Sequence, residues 1–113
     1  MAFTIKRGDT APALRATLQR SDGEPVDLSK VDSVEFSLED GLRGQLIRDD
    51  LSGGVSIINA SEGLVQYSWE PGDTETIGQK RAEFTLEFQS GEVETFPNNG
   101  FIIISIQESI EEE

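Results

Sequence analysis

The 113-residue chain contains no cysteine and no histidine. Without cysteine it can form neither a disulfide nor a thiolate metal site, and without histidine it lacks the commonest general base and metal ligand of proteins. Long apolar runs are also missing: the first ten residues carry Lys6, Arg7 and Asp9, so we expect no secretory signal and no membrane span there. A chain of this length predicts one domain with one core.

Basic residues are scarce. Nine Lys and Arg stand against 22 Asp and Glu, which gives a formal net charge of −13 and a sequence pI near 4.2. Nucleic acid is therefore excluded as an expected partner, because its phosphates are bound by Lys and Arg. Residues 1–20 nevertheless hold four basic residues and one acidic one. The charge indicates either a solvated surface that keeps the protein soluble, or contact between copies or with an acidic partner.

Apolar and polar residues alternate along most of the chain, with no amphipathic helical pattern of ten or more residues. The clearest strand candidates are residues 13–19, 33–39, 64–70 and 81–89, and weaker ones are 3–6, 45–48, 55–59 and 92–96. Short turn sequences rich in Gly, Asp, Asn and Pro separate them, and this spacing predicts an all-β sandwich of antiparallel strands. We expect the last three strands to form a meander.

The final strand candidate, residues 101–107, is apolar on both sides. One face carries three isoleucines, Ile102, Ile104 and Ile106. The other face carries Phe101 and Ile103, and leaving these two in water forgoes about 1.5–3 kcal/mol for each side chain. We therefore expect a cover. Either the loop of residues 40–51 folds over them or a neighbouring subunit does, because contiguous exposed apolar surface marks interfaces.

The sequence contains no catalytic constellation. A nucleophile needs an adjacent base, and the three lysines form no Ser-x-x-Lys motif, so we predict no enzyme, no catalytic residue and no cofactor. Two oxygen-rich loops, at residues 49–54 and 73–75, lack the spacing of a calcium loop. We predict no metal site, and the alternative is an adhesion domain stabilised by calcium.

A different alternative is a carbohydrate-binding module. Trp69 and Tyr67 lie on the same side of the strand candidate at residues 64–70 and could offer sugars an aromatic platform. Their alternation with Gln66 and Ser68 favours a place in the core instead.

Two long stretches, residues 3–31 and 63–106, share an order of motifs: an opening strand, Gly-Asp-Thr, Gly-Glu-Pro-Val-Asp-Leu, a strand with Trp69, a second Gly-Asp-Thr, then Phe-Pro-Asn and a closing apolar strand. In this order the chain resembles the N-terminal domain of the phage baseplate upper protein family. The resemblance covers nearly the whole chain and is weakest at residues 40–58. It implies an immunoglobulin-like β-sandwich, here of about 7–9 strands.

The resemblance also implies a role. We expect one sandwich domain at residues 1–107 with an acidic tail at 108–113, acting as a non-enzymatic structural protein of a tailed phage, most simply in the tail or baseplate. A capsid decoration or head–tail accessory protein is the alternative. The expected partners are other virion proteins and further copies of the chain in a symmetric array, in a particle assembled in the host cytoplasm.

Five residues are the predicted contacts of this assembly. Phe101 and Ile103 supply an apolar patch, and Lys6, Arg7 and Arg15 supply a basic one. The terminal residues 111–113, all glutamate, are the expected acidic counterpart of the basic patch.

Overall fold

A computed structural model describes residues 2–40 and 45–110 of the chain. The described part of the chain is all-β, and about half of its residues lie in strands. Nine strands are found in the described residues: β1 Ala2–Lys6, β2 Leu14–Thr17, β3 Val31–Asp40, β4 Gln45–Asp49, β5 Val55–Asn59, β6 Leu64–Tyr67, β7 Gly78–Phe88, β8 Val93–Phe96 and β9 Ile102–Gln107. A 3₁₀ turn, Leu28–Lys30, precedes β3. Within these ranges no helix is long or apolar enough to cross a bilayer.

The strands form two sheets that pack as a sandwich. The large sheet has the order β1-β9-β7-β3-β4, with β8 also paired to β7, and the small sheet has the order β2-β6-β5. All pairs are antiparallel except β1 with β9, which is parallel. The predicted immunoglobulin-like β-sandwich is confirmed.

Strand β7 organises the large sheet, because its eleven residues are long enough to pair with two strands along one edge. Residues 84–87 pair with β8, and residues 78–82 pair with β9. The predicted meander is therefore wrong at its last step: β9 passes β8 and returns to β7. The four residues of β8 leave half of that edge open, and β9 fills it.

The core lies between the two sheets and is built around Phe36 of β3, which is fully buried. Its ring stacks on Tyr67 of the small sheet at 4.2 Å between centroids, tilts against Phe84 at 5.1 Å, and meets Trp69 edge-on at 6.2 Å. Such aromatic pairs add about 0.5–1.5 kcal/mol each beyond the burial of their area. This cluster joins the two layers at the level of β3 and β6.

Gly63, at the start of β6, holds the small sheet together at a crowded point. Its φ of +69° lies in the left-handed region, and a Cβ there would stand 2.8 Å from the carbonyl oxygen of Leu18 and 2.9 Å from that of Val26. The carbonyl of Gly63 also accepts a 2.8 Å hydrogen bond from the amide of Leu18. Only glycine fits both the backbone conformation and the space.

The two Gly-Asp-Thr tripeptides meet in space. Thr74, only 1% exposed, donates from its hydroxyl to the carbonyl of Asp9 at 2.9 Å and accepts from the amide of Gly8 at 3.1 Å. The turn after β1 is thereby tied to the loop before β7.

Candidate interaction surfaces

The outer face of the large sheet consists of the alternate residues of its strands that point away from the core. Its central row runs across four strands, with Ile103 of β9 between Ala2 of β1 and Arg81 of β7, and with Glu39 of β3 beyond Arg81. Directly opposed residues of neighbouring strands have Cβ atoms about 4.5–5.5 Å apart. Ile103 is half-buried.

Arg81 links the apolar and the charged parts of this row. Its guanidinium carbon lies 4.7 Å from the centre of the Phe101 ring, and the same guanidinium pairs with the carboxylate of Glu39. Phe101 remains 40% exposed under this cover. A cation over an aromatic ring at an exposed site contributes about 0.5–1 kcal/mol. The sequence did not identify Arg81 as a contact of the apolar patch, because alternation assigned it only to the solvent side of its strand. Its position opposite Ile103 follows from the register of β7 with β9.

The expected cover by residues 40–51 is wrong in its described part. Residues 45–49 form β4, which pairs with β3 and extends the large sheet in its own plane. Strands β7 and β3 lie between β4 and β9 in the order of the sheet, so β4 does not lie over Ile103. Residues 41–44 are outside the described part of the chain.

Charges on the outer face differ between its two ends. The end at Lys6 carries two cations and one carboxylate: Lys6, Arg81 and Glu39. The opposite end carries three carboxylates and one cation: Glu35, Glu83, Glu87 and Arg48. Ile103 lies in the same row as Arg81 and Glu39, so the boundary between the two ends runs beside it.

The predicted basic patch does not exist as one surface. Lys6 projects from the outer face of the large sheet, where its ammonium donates to the backbone carbonyl of Glu108 at 3.3 Å. Arg15 projects from the small sheet, where its Nε donates to the side chain of Gln66 at 2.8 Å. The sandwich separates them, because each strand turns its buried residues toward the shared core. Arg7 is half-buried in the turn after β1, and residues 111–113 lie outside the described range.

The alternative of a sugar platform is wrong, and the favoured place of Tyr67 and Trp69 in the core is confirmed. Tyr67 and Trp69 are 1% and 5% exposed, and both pack against Phe36 in the core. The Tyr67 hydroxyl donates to the Asp73 carboxylate at 2.5 Å, and burial, followed by this hydrogen bond, raises the pKa of Tyr67. Buried rings cannot stack on a sugar.

Three carboxylates, Asp49, Glu70 and Asp73, meet at one end of the sandwich. Asp49 accepts from the amides of Gly54 and Asp50 at 2.9 Å each, and Asp73 accepts from the Glu70 amide at 2.9 Å. The negative charge of Asp49, together with Asp73, raises the pKa of Glu70. In the described ranges no group of three or more Asp and Glu side chains is arranged to hold a metal ion. These oxygens serve as acceptors for local backbone and side-chain donors.

The fold is similar to the crystal structure of CopC from Methylosinus trichosporium OB3b. The TM-score is 0.55 at 10% sequence identity, and the match covers 98% of this chain and 88% of that one. No protein-family model matches the chain, and no curated protein matches it. At this identity the likeness concerns the fold.

This comparison corrects the predicted role. The structural protein of a tailed phage, whether in tail, baseplate, capsid or head–tail connection, is contradicted, because the sandwich is similar to CopC and nothing points to a phage structural role. The motif order that prompted the prediction reflects strands and turns, which proteins of one fold share without sharing function. Membership in the phage baseplate upper protein family stays a prediction, as does the expected cellular location.

Proposed function

We propose that the protein is a non-enzymatic binding module that pairs with a second copy of itself through the outer face of the large sheet. The observation that carries the proposal is the position of Phe101 and Ile103. Ile103 lies on a sheet face whose other central positions are short or charged, and β4 does not lie over it. Phe101, just before β9, is 40% exposed and contacts Arg81, the residue opposite Ile103.

Short side chains let another flat surface approach this patch closely. Ala2 and Thr4 of β1 and Ser105 of β9 flank Ile103, and Ser37 of β3 lies on the other side of β7. None of these side chains rises as high above the sheet as an isoleucine or a phenylalanine. These short side chains therefore leave Ile103 accessible to a flat partner, and burying Ile103 and Phe101 removes hydrocarbon from water.

Charge favours a second copy as the occupant. A two-fold axis through the apolar patch would set the end of the outer face at Lys6 against the acidic end of the other copy. Lys6 and Arg81 would then face Glu83 and Glu87 of the second molecule, and the reverse contacts would form by symmetry. Such complementarity fixes orientation and offsets the repulsion between two chains of −13 charge each.

Sedimentation equilibrium tests the proposal with Ile103→Ser and a matched control, Ile58→Ser. Ile58 is 40% exposed on the small sheet, so the control removes a comparable apolar side chain from the other side of the molecule. We expect the unchanged protein and Ile58→Ser to form dimers and Ile103→Ser to stay monomeric, with similar melting temperatures for all three.

A monomer at about 1 mM protein, equivalent to an association free energy weaker than about 4 kcal/mol, would reject the dimer. Equal dimerisation of the two variants would reject the outer face as its interface.

A further inference from the structure

The small sheet ends in a strand with one open edge. Strand β2 pairs only with β6, while β1, which precedes it in the chain, pairs over its whole length with β9 of the large sheet. Strand β1 therefore does not extend the small sheet beside β2, and that edge of β2 has no partner from β1. Among the strands of the described residues, none lies on that side of β2.

The register identifies which backbone groups point to the open side. Leu18 donates its amide to Gly63 at 2.8 Å, and its carbonyl accepts from Val26 at 2.9 Å, both on the β6 side. Alternate residues of a strand direct their amides and carbonyls to the same side. The amides and carbonyls of Arg15, Thr17 and Gln19 thus point outward, as three donors and three acceptors in ladder spacing.

This edge differs from the other edge of the small sheet. On β5 the register with β6 shifts between Ile57 and Asn59, and such irregularities twist an edge away from further pairing. The pairing of β2 with β6 runs without a shift, and neither Pro nor Lys interrupts Leu14–Thr17. Natural sheets use those devices to block edge pairing. Strand β2 has neither Pro nor Lys, and its one charged residue, Arg15, would attract an acidic segment.

A groove of about 280 Å³ lies against the same edge. Ala16, Thr17, Leu18 and Gln19 line one side, and the segment from Phe96 to Ile102 lines the other. Arg20, just beyond, holds the two sides together through Glu94, with donor–acceptor distances of 2.8 Å from Nη2 and 3.0 Å from Nε. Each second side chain of a strand laid along β2 would point into this groove.

We propose that the open edge of β2 binds an extended peptide segment of a partner protein as an added strand. The segment carries an apolar side chain that enters the groove and an acidic side chain beside Arg15, for which the described residues provide no carboxylate partner. A second copy of β2 fits less well, because its apolar side chains Leu14, Ala16 and Leu18 are already buried in its own core. Phe101 lines this groove as well as bordering the outer face of the large sheet, whereas Ile103 does not line the groove.

The probe is a capped synthetic peptide, Thr-Glu-Thr-Leu-Thr-Glu-Thr, titrated into the full chain and followed by amide chemical shifts. We expect shifts at Arg15, Thr17 and Gln19 and slower hydrogen exchange there. Thr17→Pro removes an outward donor without removing an internal hydrogen bond, and we expect affinity to fall about tenfold. Thr17→Val, the matched control, keeps the donor and the affinity.

A charge exchange provides a second test that does not depend on proline. Arg15→Glu is expected to weaken binding of the glutamate peptide and to strengthen binding of the same peptide with both glutamates replaced by lysine. No shift at about 1 mM peptide would overturn the proposal, as would shifts confined to β5 or to the outer face. Peptide binding by Ile103→Ser keeps this site distinguishable from the dimer interface.

Discussion

The two sides of β9 carry similar hydrocarbon but have different surroundings. Ile102, Ile104 and Ile106 are at most 2% exposed and face the aromatic core. On the other side Ile103 is half-buried and Phe101 is 40% exposed, with Arg81 as the cover of the ring. Burial on the inner side comes from a whole opposing sheet, whereas on the outer side it comes from neighbours in the same sheet. The hydrocarbon of the inner side stabilises the fold, and that of the outer side is available for association.

The largest effect on the free energy of unfolding is expected from replacing each of two adjacent isoleucines by alanine. Ile104→Ala should lower the free energy of unfolding by about 2–5 kcal/mol, because it leaves a cavity between the sheets. Ile103→Ala should lower it by less than Ile104→Ala, because Ile103 is only partly buried and its loss leaves no cavity between the sheets. Urea denaturation of both variants at low protein concentration measures the difference. Equal losses would remove the distinction between the two sides.

A smaller effect concerns the polar contact of the core cluster. Tyr67→Phe keeps the stacked ring but removes the hydroxyl that donates to Asp73. We expect a loss of about 1–2 kcal/mol, the usual cost of removing one partner of a partly buried hydrogen bond to a charged group. The same denaturation experiment in an Asp73→Asn background is the control, where the loss should shrink. An unchanged loss there would assign the effect to ring packing.

On the outer side, the Arg81–Glu39 pair should contribute little to the stability of the monomer. Both side chains are nearly half exposed, and exposed ion pairs contribute about 0.2–1 kcal/mol. A double-mutant cycle with Arg81→Gln and Glu39→Gln measures the coupling, which should fall further in 1 M salt. A coupling of several kcal/mol, insensitive to salt, would show that the outer side is built like the inner one.

The smallest effect lies at the end of the sandwich, where the two layers meet at Asp49, Glu70 and Asp73. The charge of Asp49 raises the pKa of Glu70 in the folded state, so the fold favours the protonated form. The stabilisation is complete at low pH and is lost as the pH rises through the folded-state pKa. Glu70→Gln should therefore raise the melting temperature at neutral pH and leave it unchanged in acid.

The control is Glu75→Gln, which removes the same charge from the same loop. If both variants raise the melting temperature equally at neutral pH, the gain comes from net charge and not from the neighbours of Glu70.

Much of the fold could be predicted from alternation. Strand β5 has the predicted bounds, 55–59, and the predicted strand at 92–96 appears as β8 with one residue fewer. At residues 64–70 the alternation continues to Trp69, but β6 ends at Tyr67, and the indole is buried beyond the end of its strand. Alternation of apolar and polar residues predicts which side chains are buried. It does not predict where backbone pairing between strands ends.

The candidate sites were predicted less well. The predicted strand at 101–107 appears as β9, Ile102–Gln107, so Phe101 lies just outside the strand, and the role of Phe101 and Ile103 as contacts stays a prediction. The sequence also grouped Lys6 with Arg15, which the sandwich sets on different sheets. The open edge of β2 left no sign in the sequence, since it follows from the pairing of β1 with β9, about 100 residues apart in the chain.

The sequence by itself determined that this chain is a β-sandwich with one core, because period-two hydrophobicity and turn residues act within a few positions of each other. It also excluded the chemistry that needs cysteine or histidine. Only the tertiary structure decided which strand borders which, that β9 returns to β7, and that β2 keeps an open edge. Those outcomes depend on pairing between distant segments, whose free energy is set by the packing of the two whole layers and not by any local pattern.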